Sequence, residues 1–290
     1  MIKVTYPDID CEDVFITCLA SVHPKGESNI DYLGRMRDIS DEIYLSWRDF
    51  QSRIDNKEFY LISPCLPART EQVIVGKVTK FELKQLYEDY MLKAGSESRK
   101  VYNKLRASAP GGICPLCGIR GVATLDHYLP KSRFPMHSVN PRNLIPACRD
   151  CNTGKTNSIF DSRFKQTFYA YDDNDIFYSE DWIFAIPKRI EDILVFDFYA
   201  KPPSDWSEEN RERAISHFDG YNLRAVYVEN SVREITEIKL NIKNILSKSG
   251  SSEEVREFYQ MHARAQPKNS FKRAIFFAVI EDEDLCKGIF

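Results

Sequence analysis

Two Cys-x-x-Cys pairs, Cys114/Cys117 and Cys148/Cys151, lie within "GGICPLCGIRGVATLDHYLPKSRFPMHSVNPRNLIPACRDCNTGKTNSIF", residues 111–160. Four thiolates close a tetrahedral structural zinc site, which then has no open position at which to activate water. Each pair can sit on one tight knuckle, the first helped by Pro115 and Gly118. The 30 residues between the pairs (118–147) exceed the ~15–20 of ordinary zinc ribbons. A zinc at this point therefore clamps both ends of something larger. Inside lie the dipeptide Asp126-His127 and Asn143; Asn152 directly follows the last cysteine, and Lys155 lies three residues beyond.

The elements that must position these residues are short. "ATLDHYLP" reads as a strand ended by Pro130, "KSRFPMHSVNPR" as a loop with two prolines and no periodicity, and "NLIPAC" as a second apolar strand. "RDCNTGKTNSIF" can begin a helix, with Asn152 and Lys155 on one face. The order is strand, loop, strand, helix. Adjacent residues of a strand point to opposite faces, so Asp126 and His127 can serve one site only where the strand ends or twists. His137 reads as a solvated loop histidine; His23, His217 and His262 stand outside any constellation.

These positions carry a resemblance to the HNH endonucleases, a branch of the ββα-metal (His-Me) finger group. The matching features are Cys-x-x-Cys, Asp-His with a proline three residues on, an asparagine before an apolar strand, and Cys-x-x-Cys-Asn-x-x-Lys. The resemblance covers about fifty of the 290 residues. It implies that His127 is the general base for the attacking water, a task that an imidazole titrating near ~6.5 suits. It also implies that Asp126 and Asn152 hold one Mg²⁺ or Mn²⁺, as hard oxygen ligands would. Asn143 matches the asparagine that braces the loop and orients the base-bearing strand, and Lys155 a basic position near the scissile phosphate. The implied activity is phosphodiester hydrolysis in nucleic acid, DNA ahead of RNA, with Cys114, Cys117, Cys148 and Cys151 on structural zinc. The alternative is a zinc-stabilised nucleic-acid binding module that does not cut.

The flanks read as helical. Ser40 reads as the cap of a helix whose Ile43, Trp47, Phe50 and Ile54 recur at 4-3-4 spacing. "EQVIVGKV" reads as one short strand. Thr79 and Glu82 form a capping-box pattern before a stripe of Leu83, Leu86, Tyr87, Tyr90 and Met91. "SESRKVYNKLRAS" is a shorter basic helix. Residues 161–205 are aromatic-rich and irregular around one strand, "DILVFDFYA". Helices then resume from Ser207 to Gly220, from Asn222 along Val228, Val232, Ile235, Ile238, Ile242 and Ile245, and over "SEEVREFYQMHARA" and "NSFKRAIFFAVIED". The expected fold is α+β and mainly helical, with a zinc-stapled ββα-metal finger (108–160) between an N-terminal helical region (1–107) and a mostly helical C-terminal region (161–290).

Net charge narrows the partners. Residues 111–160 hold six cations against Asp126 and Asp150, a net of +4, which leaves −7 for the rest of a chain at −3. The sign suits a polyanion at the finger, and Arg120, Lys131, Arg133 and Arg142 are candidates for a phosphate track. An acidic body around a small basic patch would bind nucleic acid weakly alone, which points to a delivering partner. The segment "ISHFDGYNLRAVYVEN", with helical flanks, is similar to nuclease subunits paired with an ATPase in Septu-type anti-phage systems. With 43% hydrophobic and 29% charged residues, and no run near the roughly 18 apolar residues of a membrane span, the chain reads as cytoplasmic. Cys11, Cys18, Cys65 and Cys286 are scattered and read as ordinary thiols.

Overall fold

The stripe of Ile43, Trp47, Phe50 and Ile54 is the buried face of one helix, Ser40–Asn56, in the computed structural model. The structure describes residues 1–65, 70–154, 159–191, 193–248 and 250–290. It divides into two compact units, one of residues 2–116 and 120–173, the other of residues 1, 117–119 and 174–290.

The unit that carries the finger begins with α1 (Cys11–Ala20), α2 (Glu27–Asp38) and α3 (Ser40–Asn56). Ser40 does not cap α3. Only Ile39 separates α3 from α2, and the Ser40 hydroxyl donates instead to the Arg37 carbonyl, 2.8 Å away. Residues 71–78 form a hairpin and not a single strand: β1 (Val73–Val75) pairs with β2 (Val78–Thr79). Gly76 makes the reversal at φ +53°, and a Cβ there would come within 2.8 Å of Ile39. The capping box is present. Glu82 N–H donates to Thr79 Oγ1 at 3.3 Å and Thr79 N–H donates to Glu82 Oε2 at 2.8 Å. It opens α4 (Lys80–Gln85), which widens at once into a π-helical turn, Leu86–Met91, followed by α5 (Glu97–Arg106).

The finger follows as β3 (Thr124–His127), β4 (Leu144–Ala147) and α6 (Arg149–Gly154). β3 and β4 are antiparallel, with Asp126 opposite Ile145 and His127 opposite Leu144. A two-stranded ribbon tolerates Pro146, since a missing N–H can lie on its outer edge. The chain after α6 buttresses β4. Tyr169 and Tyr171 donate their hydroxyls to the carbonyls of Arg142 and Leu144, at 2.7 and 2.6 Å. Tyr128, Tyr169 and Phe59 meet edge-on or tilted, with ring centroids 4.7–5.2 Å apart.

The other unit holds α7 (Ile176–Ser179), β5 (Ile183–Ile190), β6 (Ile193–Ala200), α8 (Glu208–Gly220), α9 (Leu223–Ser247), α10 (Ser252–Ala265), α11 (Phe271–Glu281) and α12 (Glu283–Cys286). β6 lies where the sequence places a strand. Its antiparallel partner β5 is the addition: "IFAIPKRI" is interrupted by Pro187, yet pairs from Ile183↔Ala200 to Ile190↔Ile193. A hairpin packed on one face against helices accepts a proline that a central strand would not. In α9 the buried face starts with Leu223, Val226 and Tyr227 and joins the predicted stripe only at Ile238 and Ile242; Val232 is exposed. The whole is a mainly helical α+β fold with small two-stranded sheets and the finger between helical segments.

Candidate active site

The four cysteines anchor one end of the site. The sulfurs of Cys114, Cys117, Cys148 and Cys151 all lie within 4.8 Å of one another, and all four residues are buried. Zinc–sulfur bonds of ~2.3 Å in a tetrahedron would set the sulfurs about 3.8 Å apart, so the cluster fits that ion. In the first knuckle Cys114 N–H donates to the Arg120 carbonyl at 2.8 Å, and Gly118 turns the chain at φ +71°. In the second, Cys151 N–H points at Cys148 Sγ, 3.4 Å away, and Asn152 N–H donates to the Cys148 carbonyl at 3.2 Å. The second pair of cysteines thus sits at the head of α6, Cys148 just before it and Cys151 within it, and α6 carries Asn152.

A cavity of about 350 Å³ opens beside this helix, and Asp126, His127 and Asn152 all line it. The alternation of a strand would separate the first two, but β3 ends at His127 and the chain leaves the ladder there. Both residues are nearly buried, 4% and 8% exposed. His127 Nε2 lies 2.8 Å from the Ser138 carbonyl oxygen. A carbonyl can only accept, so Nε2 carries the hydrogen and Nδ1 holds the lone pair in the neutral ring.

The loop that supplies this carbonyl is held from α3. Trp47 Nε1 donates to the Met136 carbonyl at 2.8 Å, and Phe50 packs on the His137 ring with centroids 5.1 Å apart. Asn143 is fully buried and does not line the cavity. Its Oδ1 accepts from Leu129 N–H at 2.7 Å, while Nδ2 donates to the carbonyls of Leu129 and His137 at 3.0 and 3.1 Å. One side chain therefore buckles the exit of β3 to the loop that orients His127. Lys155 lies outside the described residues.

Three residues in the cavity wall come from far upstream, among them Lys84 of α4 and Tyr87 of the π-turn. The Tyr87 ring meets the His127 imidazole edge-on, with centroids 4.5 Å apart at 70°. Burial, with Tyr102 and Asp126 nearby, pushes the Tyr87 phenol well above its ordinary range. In the sequence Tyr87 belongs to a helical stripe that reads as core, and nothing singles out Lys84.

Residues 114–158 match the family model described as HNH endonuclease. The chain carries an HNH domain. An HNH domain implies nuclease-type activity with a metal, and nucleic-acid binding. The chain is also 29% identical over 242 residues to protein ea31 of Escherichia phage lambda, an alignment spanning 77% of this chain and 79% of that protein. No solved structure matches it. Among the described residues, no helix is long and apolar enough to cross a membrane.

The cations of the HNH domain do not share one task. Arg120 pairs with Asp150 at 3.0 Å, Arg133 Nε donates to the Cys65 carbonyl at 2.9 Å, and Arg142 stacks 3.6 Å from the centroid of Tyr6. Of the four candidates for a phosphate track, Lys131 alone lines the cavity.

His137 is the clearest departure from the sequence reading. It is buried and not solvated, with Nε2 3.3 Å from Ser46 Oγ and Nδ1 3.3 Å from Asn140 Nδ2. Burial pushes its imidazole down from 6.5 to about 3. Below about 6.5 the unfolded chain binds a proton that the folded chain does not, so stability present above that pH is lost as pH falls toward 3. The slope from this group reaches at most about 1.4 kcal/mol per pH unit. With zinc saturating, the melting temperature of the parent should therefore fall more steeply between pH 7 and pH 5 than that of His137→Gln. Parallel slopes would show that this histidine does not set the acid sensitivity.

Proposed function

We propose that the protein is a metal-dependent endonuclease that hydrolyses phosphodiester bonds of nucleic acid, DNA ahead of RNA, with His127 as general base. The observation that carries this reading is the meeting of Asp126, His127 and Asn152 on one cavity, with the lone pair of His127 on Nδ1. Nδ1 takes the proton of the attacking water. The Ser138 carbonyl, accepting from Nε2–H, holds the tautomer and favours the imidazolium that forms. Asn143 positions both the strand exit and the loop that carries this carbonyl.

A carboxylate and an amide oxygen on one cavity wall are the hard donors that Mg²⁺ or Mn²⁺ takes, with room for retained waters, so Asp126 and Asn152 would hold the catalytic cation. Held there, it supplies Lewis-acid neutralisation of charge at the reacting phosphodiester. The four-thiolate zinc closes its own coordination and serves the fold. Lys155 is assigned to the scissile phosphate on sequence grounds alone. Zinc-bound thiolates suit the reducing cytoplasm.

The test is a cleavage panel of supercoiled plasmid, single-stranded DNA and total RNA, each with Mg²⁺, with Mn²⁺ and with EDTA. The expected result is metal-dependent loss of supercoiled plasmid that EDTA stops. Consumption of RNA alone would move the substrate class. Zinc-loaded, folded protein that binds DNA yet cuts none of the three would make the chain a binding module. The Septu-type resemblance adds an ATPase partner and an anti-phage role, so cutting by the protein alone should be slow. Full activity alone, indifferent to any ATPase, would remove that part.

A further inference from the structure

Lys84 and Lys131 approach the same cavity from opposite parts of the sequence, one on α4 and one in the loop after β3. A single carboxylate oxygen stands between their ammonium groups. Glu88 Oε1 is 3.0 Å from Lys131 Nζ and 3.8 Å from Lys84 Nζ. The Lys131 ammonium also lies 4.8 Å from the centroid of the Tyr87 ring, which meets His127 as well. Tyr87 and Glu88 are consecutive in the π-turn. Such widened turns are frequent at functional sites, and this one sets an aromatic ring in the cavity wall and a carboxylate against two lysines that line it.

Two cations sharing one carboxylate leave a net positive charge beside the residues proposed to do the chemistry. The side chains are 22% (Lys84), 27% (Lys131) and 43% (Glu88) exposed. Pairs this open to solvent contribute only about 0–1 kcal/mol each, so another anion can exchange for the carboxylate. A phosphate oxygen has the charge and size to take its place.

We propose that Lys84 and Lys131 form a clamp for a backbone phosphate of the nucleic-acid strand entering the cavity, and that Glu88 occupies the clamp as a built-in competitor until the strand displaces it. The nature of the ligand rests on the endonuclease reading; the geometry of the clamp does not. The clamp extends the site beyond the HNH domain to residues 84–88. Glu88 is also a brake: substrate must win both lysines from it, so affinity is lower than the lysines alone would give.

The test uses the full chain carrying His127→Ala, so that substrate stays intact, with a fluorescein-labelled 20-base-pair duplex followed by anisotropy over a range of salt. Lys84→Met and Lys131→Met should each weaken binding about tenfold and reduce the slope of log affinity against log salt by about 0.9. Glu88→Gln should tighten binding about three- to tenfold. Lys287→Met, an exposed lysine on the other unit, should leave it unchanged, and zinc content and melting temperature report folding for every variant. The sign at Glu88 decides. A carboxylate that merely tethers the lysines predicts weaker or unchanged binding on its loss, and that result overturns the competitor. Unchanged affinity in both lysine variants overturns the clamp. A parent that cuts DNA while these variants match it loses the clamp alone; a parent that neither binds nor cuts loses the endonuclease reading as well.

Discussion

His127→Ala should cut no plasmid under conditions where the parent completes the reaction, a loss of at least about a hundredfold and up to about ten-thousandfold for a deleted general base. The protein should still fold. The variant leaves the Ser138 carbonyl without its ring N–H, at about 1–3 kcal/mol, and opens space beside Tyr87 that joins an existing cavity. Zinc should stay at one per chain, since no sulfur ligand is touched. Single-turnover rates on plasmid DNA, metal analysis and thermal melting together read the result. Cutting near the parental rate would transfer the base to another group, and loss of zinc or folding would make the variant uninformative about chemistry. His127→Gln, which offers an amide N–H toward Ser138 but no proton acceptor of comparable basicity, separates the two. It should recover stability without recovering cleavage.

The second large effect is on folding itself. Cys148→Ser should release zinc and unfold the finger. Cys148 offers its sulfur to the metal cluster, accepts the Cys151 N–H on that sulfur, and accepts the Asn152 N–H on its carbonyl. Apparent binding energies of structural zinc are on the order of 10–16 kcal/mol in zinc-finger peptides, comparable with or above the whole stability of a domain, ~5–15 kcal/mol. Three remaining thiolates cannot hold α6 in register, and Asn152 leaves the cavity with it. The expected observations are sub-stoichiometric zinc, rapid proteolysis within residues 114–158, and no cleavage. A strong chelator should reproduce them in the parent, more readily at acidic pH where thiolates protonate. A variant with parental melting behaviour and normal zinc content would show that the metal is not what holds this segment.

Which features could be read along the chain follows from how local their physics is. The two Cys-x-x-Cys pairs are legible because a knuckle is made within four residues, and Asn152 is legible because it rides on the second one. The Thr79–Glu82 box and the Ile43-Trp47-Phe50-Ile54 face are equally local, and both appear in the structure. The Ser40 cap fails for a reason just out of sight, the end of α2 one residue earlier, which turns its hydroxyl back to Arg37. β5 escapes notice because its Pro187 argues against a strand, and the β6 pairing that stabilises it is not visible in its own residues, although β6 itself is legible.

The candidate site divides along the same line. Residue types and spacing by themselves mark two cysteine knuckles around a strand, loop, strand and helix, and the HNH resemblance they carry points to Asp126, His127, Asn143 and Asn152. Only the tertiary structure decides what surrounds them. The Ser138 carbonyl that sets the His127 tautomer reaches it through a loop held by Trp47 and Phe50 of α3, Tyr87 comes from a helical stripe that reads as core, and Lys84 from the polar side of the same helix. His137, solvated by its sequence context, is buried by that same α3. Periodicity tells which face of a helix is covered, but not by what; that depends on contacts closed over 40 to 90 residues, for which no local spacing encodes a partner.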